Sequence, residues 1–299
     1  MVRNMEIKRL KPEHFYELRN LLDGVFSRAY GRETRFAVLF PRLFAEPNEY
    51  CTSSHLGAFE GDRLIGTAAM YPMDYVVGGV HIKLIGNGNV AVHEDVRGRG
   101  IMSRLLEKIN EECDACGDVG YLHGKIDRYA RFGYYSMGIQ YQCTVQPGAA
   151  NDVEFVPMRP GDVTENQRIY TQMPDYIVRN LEDFIPALRS QGRKPLTVFR
   201  HGEQIGYISL DCSKAAVEEY ALSDRSEALV FRALAGFLGK PVMIRLSGYA
   251  TDALERLSDS STVQRSEPAQ FRIIHSDPLK SGAAALGLDE SVIYAPYLT

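Results

Sequence analysis

Val90-Ala91-Val92-His93-Glu94-Asp95-Val96-Arg97-Gly98-Arg99-Gly100-Ile101-Met102-Ser103-Arg104-Leu105-Leu106 decides the reading of this chain. It opens on alternating apolar residues, passes through an Arg/Gly turn and continues with apolar residues at helical spacing (Ile101, Leu105, Ile109). A strand, a short loop and a helix N-terminus therefore follow one another directly. Gly98 and Gly100 allow left-handed backbone and a close approach of N–H groups to a ligand. A helix starting near Gly100 offers unpaired N–H groups and a positive dipole end. Arg97 and Arg99 add charge that suits phosphate oxygens. A ligand carrying a diphosphate is the natural guest.

Neither G-x-G-x-x-G nor a Gly-Lys-Ser/Thr ending is present, so Rossmann and Walker turns are excluded. After a V-x-V strand, Arg97, Gly98, Arg99, Gly100 and Ile101 resemble the R/Q-x-x-G-x-G/A signature of the GCN5-related N-acetyltransferase (GNAT) superfamily. Met102 stands at the sixth place, where that family prefers Gly or Ala. The resemblance implies acetyl-CoA as acetyl donor, held by Val90, Ala91, Val92, Arg97, Gly98, Arg99, Gly100, Ile101 and Met102. Downstream, Val119 to Leu122 reads as a strand leading into a short helix that ends at Gly133. Tyr129, Gly133 and Tyr134 fit the superfamily's Y-x-x-x-G-F/Y signature, whose Tyr lies beside the cofactor sulfur. The fuller Tyr129-Ala130-Arg131-Phe132-Gly133-Tyr134 run is similar to the enhanced intracellular survival branch.

The chain has 299 residues, which suggests two domains. Its 45% hydrophobic and 24% charged content is that of an ordinary globular protein. A net charge of -4 argues against nucleic-acid binding. No apolar run approaches the ~20 residues of a membrane span, and the start lacks a signal-peptide core. Five cysteines without disulfide-rich spacing favour a reducing cytoplasm. Cys113-x-x-Cys116 has no second pair or nearby His, so no metal site is expected.

In chain order, Met5 to Leu10 reads as a strand, His14 to Phe26 and Thr34 to Phe44 as helices. In the superfamily these helices wall the acceptor site. Asp23, Glu33 and Glu46 are the acidic residues that could meet an amine, although solvated helix faces explain them more simply. Leu56 to Met70 is a hairpin about Gly61-Asp62, a second strand pair turns at Gly78-Gly79, and a last pair is expected from Tyr135 to Gln146. The second half reads as a worn copy of the first. Glu154 to Pro160 parallels Glu6 to Pro12, Leu196 to Gly206 parallels Leu56 to Gly66, and Tyr220-Ala221-Leu222 stands where Val90-Ala91-Val92 stood. Ser223-Asp224-Arg225-Ser226-Glu227-Ala228 then follows with no glycine, so the copy is not expected to bind CoA. The layout resembles the tandem arrangement of mycothiol synthase.

The expected architecture is therefore α/β, an α+β mixed sheet in two tandem GNAT-like domains. Residues 1–148 are the catalytic domain, and 149–299 the degenerate one with a C-terminal tail. The enhanced intracellular survival enzymes bring a C-terminal carboxylate into the active site and carry a third, sterol-carrier-like domain. This chain has no room for that domain, and its tail through Thr299 is expected to pack on the second half.

The function implied is a cytoplasmic N-acetyltransferase acting on a primary amine of a small molecule or peptide, by direct attack. Backbone N–H near Val92 would stabilise the oxyanion, and Tyr129 is the candidate general acid. Its pKa of about 10 lies close enough to a thiol's ~8.5 for the proton to pass to sulfur. His93, Glu94 and His123 stand near the strand ends as bases, with a water relay as the alternative. A non-catalytic acyl-CoA-binding sensor is the rival reading. The sequence leaves the oligomeric state, homo-oligomer included, open.

Overall fold

The structure is a computed structural model, and the residues it describes are 5–148, 152–223, 226–258, 261–267 and 269–293. It is a mixed α/β fold with two sheets. The described residues divide into two compact units that interleave along the chain. Unit 1 is drawn from Met1–Asp74, Ile82–Tyr135 and Gln270–Ser276, and unit 2 from Tyr75–His81, Ser136–Ala269 and Asp277–Thr299.

The sheet of unit 1 runs β1 (Met5–Arg9), β2 (His55–Glu60), β3 (Arg63–Val77), β4 (Val80–Val92), β5 (Val119–Leu122) and then the strand Ala269–Ile273. β1, β2 and β3 are antiparallel neighbours, with the β2–β3 hairpin turning at Gly61 as its sequence predicts. β4 and β5 are parallel. Residues His55–Phe59 and Leu64–Ala69 are buried without alternation, because both faces of the sheet are covered. On one face the helix Phe15–Tyr30 lays Phe15, Leu18, Leu22 and Val25 with Phe36 and Phe44 against Phe59, Leu64 and Ala91. On the other, the helix Ile101–Cys116 packs Ile101, Leu105, Ile109 and Cys113 on Leu56, Ala58, Ile65 and Ile85. Each fully buried large aliphatic contributes about 1.5–3 kcal/mol of transfer free energy, so both helices are fixed by their apolar stripes. The helix expected over Thr34 to Phe44 is two short ones, Phe36–Leu39 and Pro41–Phe44. Pro41 biases Phe40 out of helical geometry, and Phe40 sits at φ -132°, ψ 65°.

In unit 2 the sheet order is Val153–Pro157, Lys194–Arg200, Glu203–Asp211, Ala216–Leu222, Val242–Ser247, Gln140–Val145 and Ser261–Ser266. Val153 pairs with Arg200 and Pro157 with Leu196, just as Met5 pairs with Glu60 and Arg9 with Leu56. The parallel step recurs between Ala216–Leu222 and Val242–Ser247. The helices Glu227–Leu238 and Thr251–Ser258 cover one face through Val230, Phe231, Leu234 and Leu257. Val163, Ile169, Tyr170, Phe184 and Leu188 form a second cluster with Tyr207 and Ala221.

One sequence expectation is corrected here. Gln140–Val145 does not close the first sheet but lies between Val242–Ser247 and Ser261–Ser266. The place beside β5 is taken by Gln270–Ile273, antiparallel, with Gln270 opposite Leu122 and Ile273 opposite Val119. A two-residue period specifies which face a side chain takes, not which strand is its neighbour. The short helix expected over Gly282 to Gly287 forms part of the helix Ser276–Ala285. Residues 149–151 of the boundary stretch, Asp224 and Arg225 of the copied loop, and the tail residues 294–299 with Thr299 lie outside the described residues. Among the described residues no helix is long and apolar enough to cross a membrane.

Within unit 2, Tyr75–Val77 pairs with Asp175–Ile177, and the Tyr75 hydroxyl donates to Asp175 Oδ2 at 2.5 Å. Burial lifts the Asp175 carboxyl to about 7, against the Tyr75 hydrogen bond that holds it down. The folded protein thus keeps a proton that the unfolded chain loses near pH 3.9. This group's contribution is greatest at low pH and is lost as pH rises from about 4 through 7. Asp175→Asn should therefore flatten the decline of the urea midpoint between pH 5 and pH 8. An identical decline in the two proteins would assign the pH dependence to other groups.

Candidate active site

After β4 the chain passes His93 and a short turn at Glu94–Val96, where buried Val96 anchors the loop to the sheet. Gly98 and Gly100 both take left-handed backbone, φ 79° and 77°, and Gly100 is the N-cap of the helix Ile101–Cys116. A Cβ at either would meet nothing within 4 Å, so glycine is required there for conformation and not for space. The first intrahelical bond is from Arg104 N to Gly100 O at 3.1 Å, which leaves the amides of Ile101, Met102 and Ser103 before the helical ladder. Arg97 Nε donates back to Val92 O at 3.3 Å. Arg99 pairs with Glu60, whose nearly buried carboxylate raises the Arg99 pKa.

The sequence reading missed a further cation. Arg131, within the tyrosine signature, donates to Ser103 Oγ in the first turn of the helix at 2.6 Å. The signal was the Arg between Tyr129 and Gly133, but its partner is set only by tertiary structure.

Acidic and basic groups proposed from sequence are largely committed to partners. His93 Nδ1 donates to Asp95 Oδ1 at 2.5 Å, and Arg63 holds the other Asp95 oxygen at 2.8 Å, keeping that carboxyl below its usual range. Glu94 pairs with Arg28 at 3.1 Å. His123 meets the Tyr121 hydroxyl at 2.7 Å. Asp23 accepts from Phe36 N at 2.7 Å at the start of the short helix Phe36–Leu39, Glu33 holds Arg35, and Glu46 is exposed. Cys113 is buried and Cys116 exposed, both free, and no metal-binding cluster occurs among the described residues.

The geometry of β4 opens the site. Its parallel register with β5 covers only Leu84, Ile85 and Gly86, opposite Val119, Gly120 and Tyr121. β5 ends at Leu122, while β4 runs on to Val92 with Asn89 in left-handed backbone at φ 51°. One edge of Val90–Val92 faces β3, and the other is not covered by β5. Such an edge presents backbone N–H and C=O groups to an extended ligand. Ala91 is buried among the Phe15–Phe44 cluster, and half-buried Val90 and Val92 pack on the opposite face.

Tyr129 ends the short helix Ile126–Tyr129 and packs on Leu106, Leu122, Phe132 and Tyr134, together with Val90 and Met102. The Met102 side chain thus turns into this apolar cluster, which accounts for a large residue at that place. Gly124 lies directly under the Tyr129 ring, where a Cβ would stand 2.4 Å from Cε2. Gln270 Nε2 donates to Gly124 O and fixes that backbone from the neighbouring strand. Burial raises the Tyr129 pKa, opposed by nearby Arg128, so the phenol is neutral at physiological pH. Behind it, the Tyr134 hydroxyl accepts from Asn87 Nδ2 at 2.5 Å and donates to Asn110 Oδ1 at 3.3 Å, and Asn110 Nδ2 donates to Phe132 O at 3.0 Å. These bonds tie the tyrosine segment to the helix that carries the loop.

Residues 6–137 match the model of the acetyltransferase (GNAT) domain. The chain carries such an enzyme domain there, an acetyltransferase that takes its acetyl group from acetyl-CoA. No curated protein matches the chain. The fold is similar to that of an Enterococcus faecalis V583 protein described as a probable N-acyltransferase, at 17% identity, covering 92% of this chain and 74% of that one with a TM-score of 0.70. It is similar to a GCN5-related N-acetyltransferase from Kribbella flavida (16% identity, 93% and 74% coverage, TM-score 0.65). Eis1 from Mycobacterium abscessus is a further likeness (18% identity, 93% and 76% coverage, TM-score 0.61). At these identities the likeness is one of fold.

Gly124→Ala should push the Tyr129 ring from its seat. The expected result is a loss of about 1–3 kcal/mol in stability, as for other overpacked sites, with a larger fractional loss of turnover than of acetyl-CoA affinity. Turnover equal to wild type would show that the ring's position is immaterial.

Proposed function

We propose that the chain transfers an acetyl group from acetyl-CoA to a primary amine of a small molecule or peptide by direct attack, with Tyr129 as general acid. The observation that carries this reading is the open edge of Val90–Val92, which leads directly into the left-handed Gly98 and Gly100 and the free first turn of the helix. A pantetheine arm has the length and amide groups to pair with such an edge, and a diphosphate suits N–H groups backed by Arg97 and Arg131. Acetyl-CoA supplies the thioester. The backbone N–H near Val92 is suited to the charge that develops on its carbonyl oxygen.

The remaining steps belong to this chain's residues. The amine nitrogen forms its bond to the carbonyl carbon as the carbon–sulfur bond breaks. Tyr129 gives its hydroxyl proton to the departing sulfur, the nitrogen gives up a proton to water, and water returns a proton to the Tyr129 oxygen. Because His93 and Glu94 are held by Asp95 and Arg28, a water relay is the better base. Much of the acceleration then comes from positioning.

The second half is proposed as a degenerate acetyltransferase-like domain. In unit 2 the parallel register covers Ala216 and Val217 only, and the next two residues carry charge. Glu218 pairs with Arg245 of the neighbouring strand. Glu219 takes a two-pronged bond from Arg179, at 2.6 and 2.9 Å, with the Tyr207 hydroxyl donating at 2.7 Å. Charged pairs thus lie where an extended ligand would enter. Glu227, in the first turn of the following helix, opposes an anion and pairs with Arg256.

Titration of acetyl-CoA into the wild-type protein is expected to give one site. Gly100→Glu should lose it, because the change strains the left-handed turn and places a carboxylate against the phosphates. No binding to wild type would remove the enzyme reading, and two sites would remove the degenerate-half argument. Tyr129→Phe should lower turnover by about 10²–10⁴-fold with acetyl-CoA affinity nearly intact. Unchanged turnover would take Tyr129 out of the acid role.

A further inference from the structure

A buried polar chain that the acetyl-transfer reading does not use lies beside β4. His55, at the start of β2, is fully buried, and burial pushes its imidazole down to about 4, so the ring is neutral. His55 Nδ1 stands 2.7 Å from Cys51 O, an atom that can only accept, so Nδ1 carries the hydrogen and Nε2 the lone pair. Asn89 Nδ2 donates to that Nε2 at 3.2 Å and to the Tyr71 hydroxyl oxygen at 2.7 Å. Both hydrogens of the Asn89 amide are thereby used. Tyr71 Oη to His55 Nε2 is 3.5 Å, the outer limit for a hydrogen bond.

The placement of these groups gives the chain a direction. Asn89 is the left-handed residue of β4 and directly precedes Val90, so its side chain leaves the strand where the open edge begins. Half-buried Tyr71 packs against exposed Tyr50, with ring centroids 6.4 Å apart, and His55 packs edge-on to Phe44 at 6.0 Å. The network therefore sits in the layer of short helices, under an aromatic wall. Its three members are neutral: burial holds the Tyr71 phenol well above its ordinary range. A hydroxyl that accepts one strong bond and makes at most one long one keeps a lone pair for a ligand.

We infer that Tyr71, held by Asn89 and His55, receives the acceptor amine, taking one of its N–H hydrogens on the phenol oxygen, and that the acceptor is a primary amine borne on an apolar or aromatic body. This rests on the acetyl-transfer reading, which puts the thioester beside Val90–Val92. The chemistry fits because attack needs the neutral amine, and neutral, largely desolvated surroundings favour it over its hydrated ammonium form. The rings of Tyr50 and Tyr71 give the amine's carbon skeleton an apolar surface.

The test uses the full-length protein with phenethylamine as acceptor and follows CoA release. Wild type is expected to acetylate phenethylamine. Tyr71→Phe, which keeps the ring, should raise the amine KM about tenfold, the size of one lost hydrogen bond, with acetyl-CoA affinity unchanged and only a modest drop in melting temperature from the Asn89 amide that loses its acceptor. Asn89→Gly keeps the left-handed backbone, removes both amide donors and should move the amine KM in the same direction. An unchanged amine KM in Tyr71→Phe overturns the inference, as does an effect confined to acetyl-CoA affinity. Wild type that binds acetyl-CoA but does not acetylate phenethylamine overturns it too, leaving the acetyl-transfer reading intact. Failure of wild type to bind acetyl-CoA defeats that underlying reading.

Discussion

The parting of β4 from β5 after Gly86 is the constraint on which unit 1 depends. Three paired positions hold the two strands side by side, and beyond them β4 continues to Val92 beside β3 but without β5. A sheet normally leaves no such edge unmet, because each unpaired N–H or C=O that is hidden from water costs about 1–3 kcal/mol. Here the free edge leads straight into a loop with Gly98 and Gly100 in left-handed backbone, followed by the first turn of the helix. Unit 2 has the same parting after Val217 and meets it differently, with Glu218 on Arg245 and Glu219 on Arg179. Removing one partner of a buried pair of this kind costs about 3–5 kcal/mol. The arginines and glutamates there are thus bound to one another as a structural unit.

On its far side β5 is equally dependent. Gln270–Ile273 supplies its antiparallel neighbour, and that strand contributes more than backbone bonds. Arg272 Nη2 donates to both carboxylate oxygens of Asp114 near the end of the loop-bearing helix, at 2.8 and 2.6 Å, and Gln270 holds Gly124 O. Gly124 in turn leaves space for the Tyr129 ring. The position of one phenol is therefore set by residues distant in sequence, each acting through packing or a hydrogen bond to backbone.

The local parts of this arrangement were legible in the sequence. Glycine at a left-handed turn, an apolar stripe at helical spacing and a hairpin at Gly61-Asp62 are properties of neighbouring residues, and the structure has all three. Strand existence was legible for Gln140–Val145, but its neighbours were not, since alternation carries no information about pairing partners. The partners of the charged candidates were hidden for a related reason. Nothing in the spacing of Asp23, Glu94 or His93 shows that Phe36 N, Arg28 and Asp95 await them. Asn89 left a trace that was available: Gly86-Asn87-Gly88-Asn89 interrupts a β-branched strand with residues that tolerate left-handed backbone. The three-way convergence of Asn89, Tyr71 and His55 had no such trace.

Charge is distributed unevenly along the proposed path of the donor. Arg97, Arg99 and Arg131 gather at the loop and the first helical turn, where a diphosphate would be met. Tyr129 and the His55–Tyr71–Asn89 chain, near Val90, are neutral. That separation bears on the absent base. A primary ammonium with a pKa near ~10.4 is almost wholly protonated at pH 7, but desolvation lowers that value by disfavouring the charged form. The raised Tyr129 pKa makes full ionisation of the phenol costly, so its best use is to give a proton only as charge builds on sulfur. Over the whole reaction nitrogen loses one proton and sulfur gains one. A site that admits the amine in its neutral form can balance this exchange through the phenol and water, without a carboxylate or imidazole held free for the purpose.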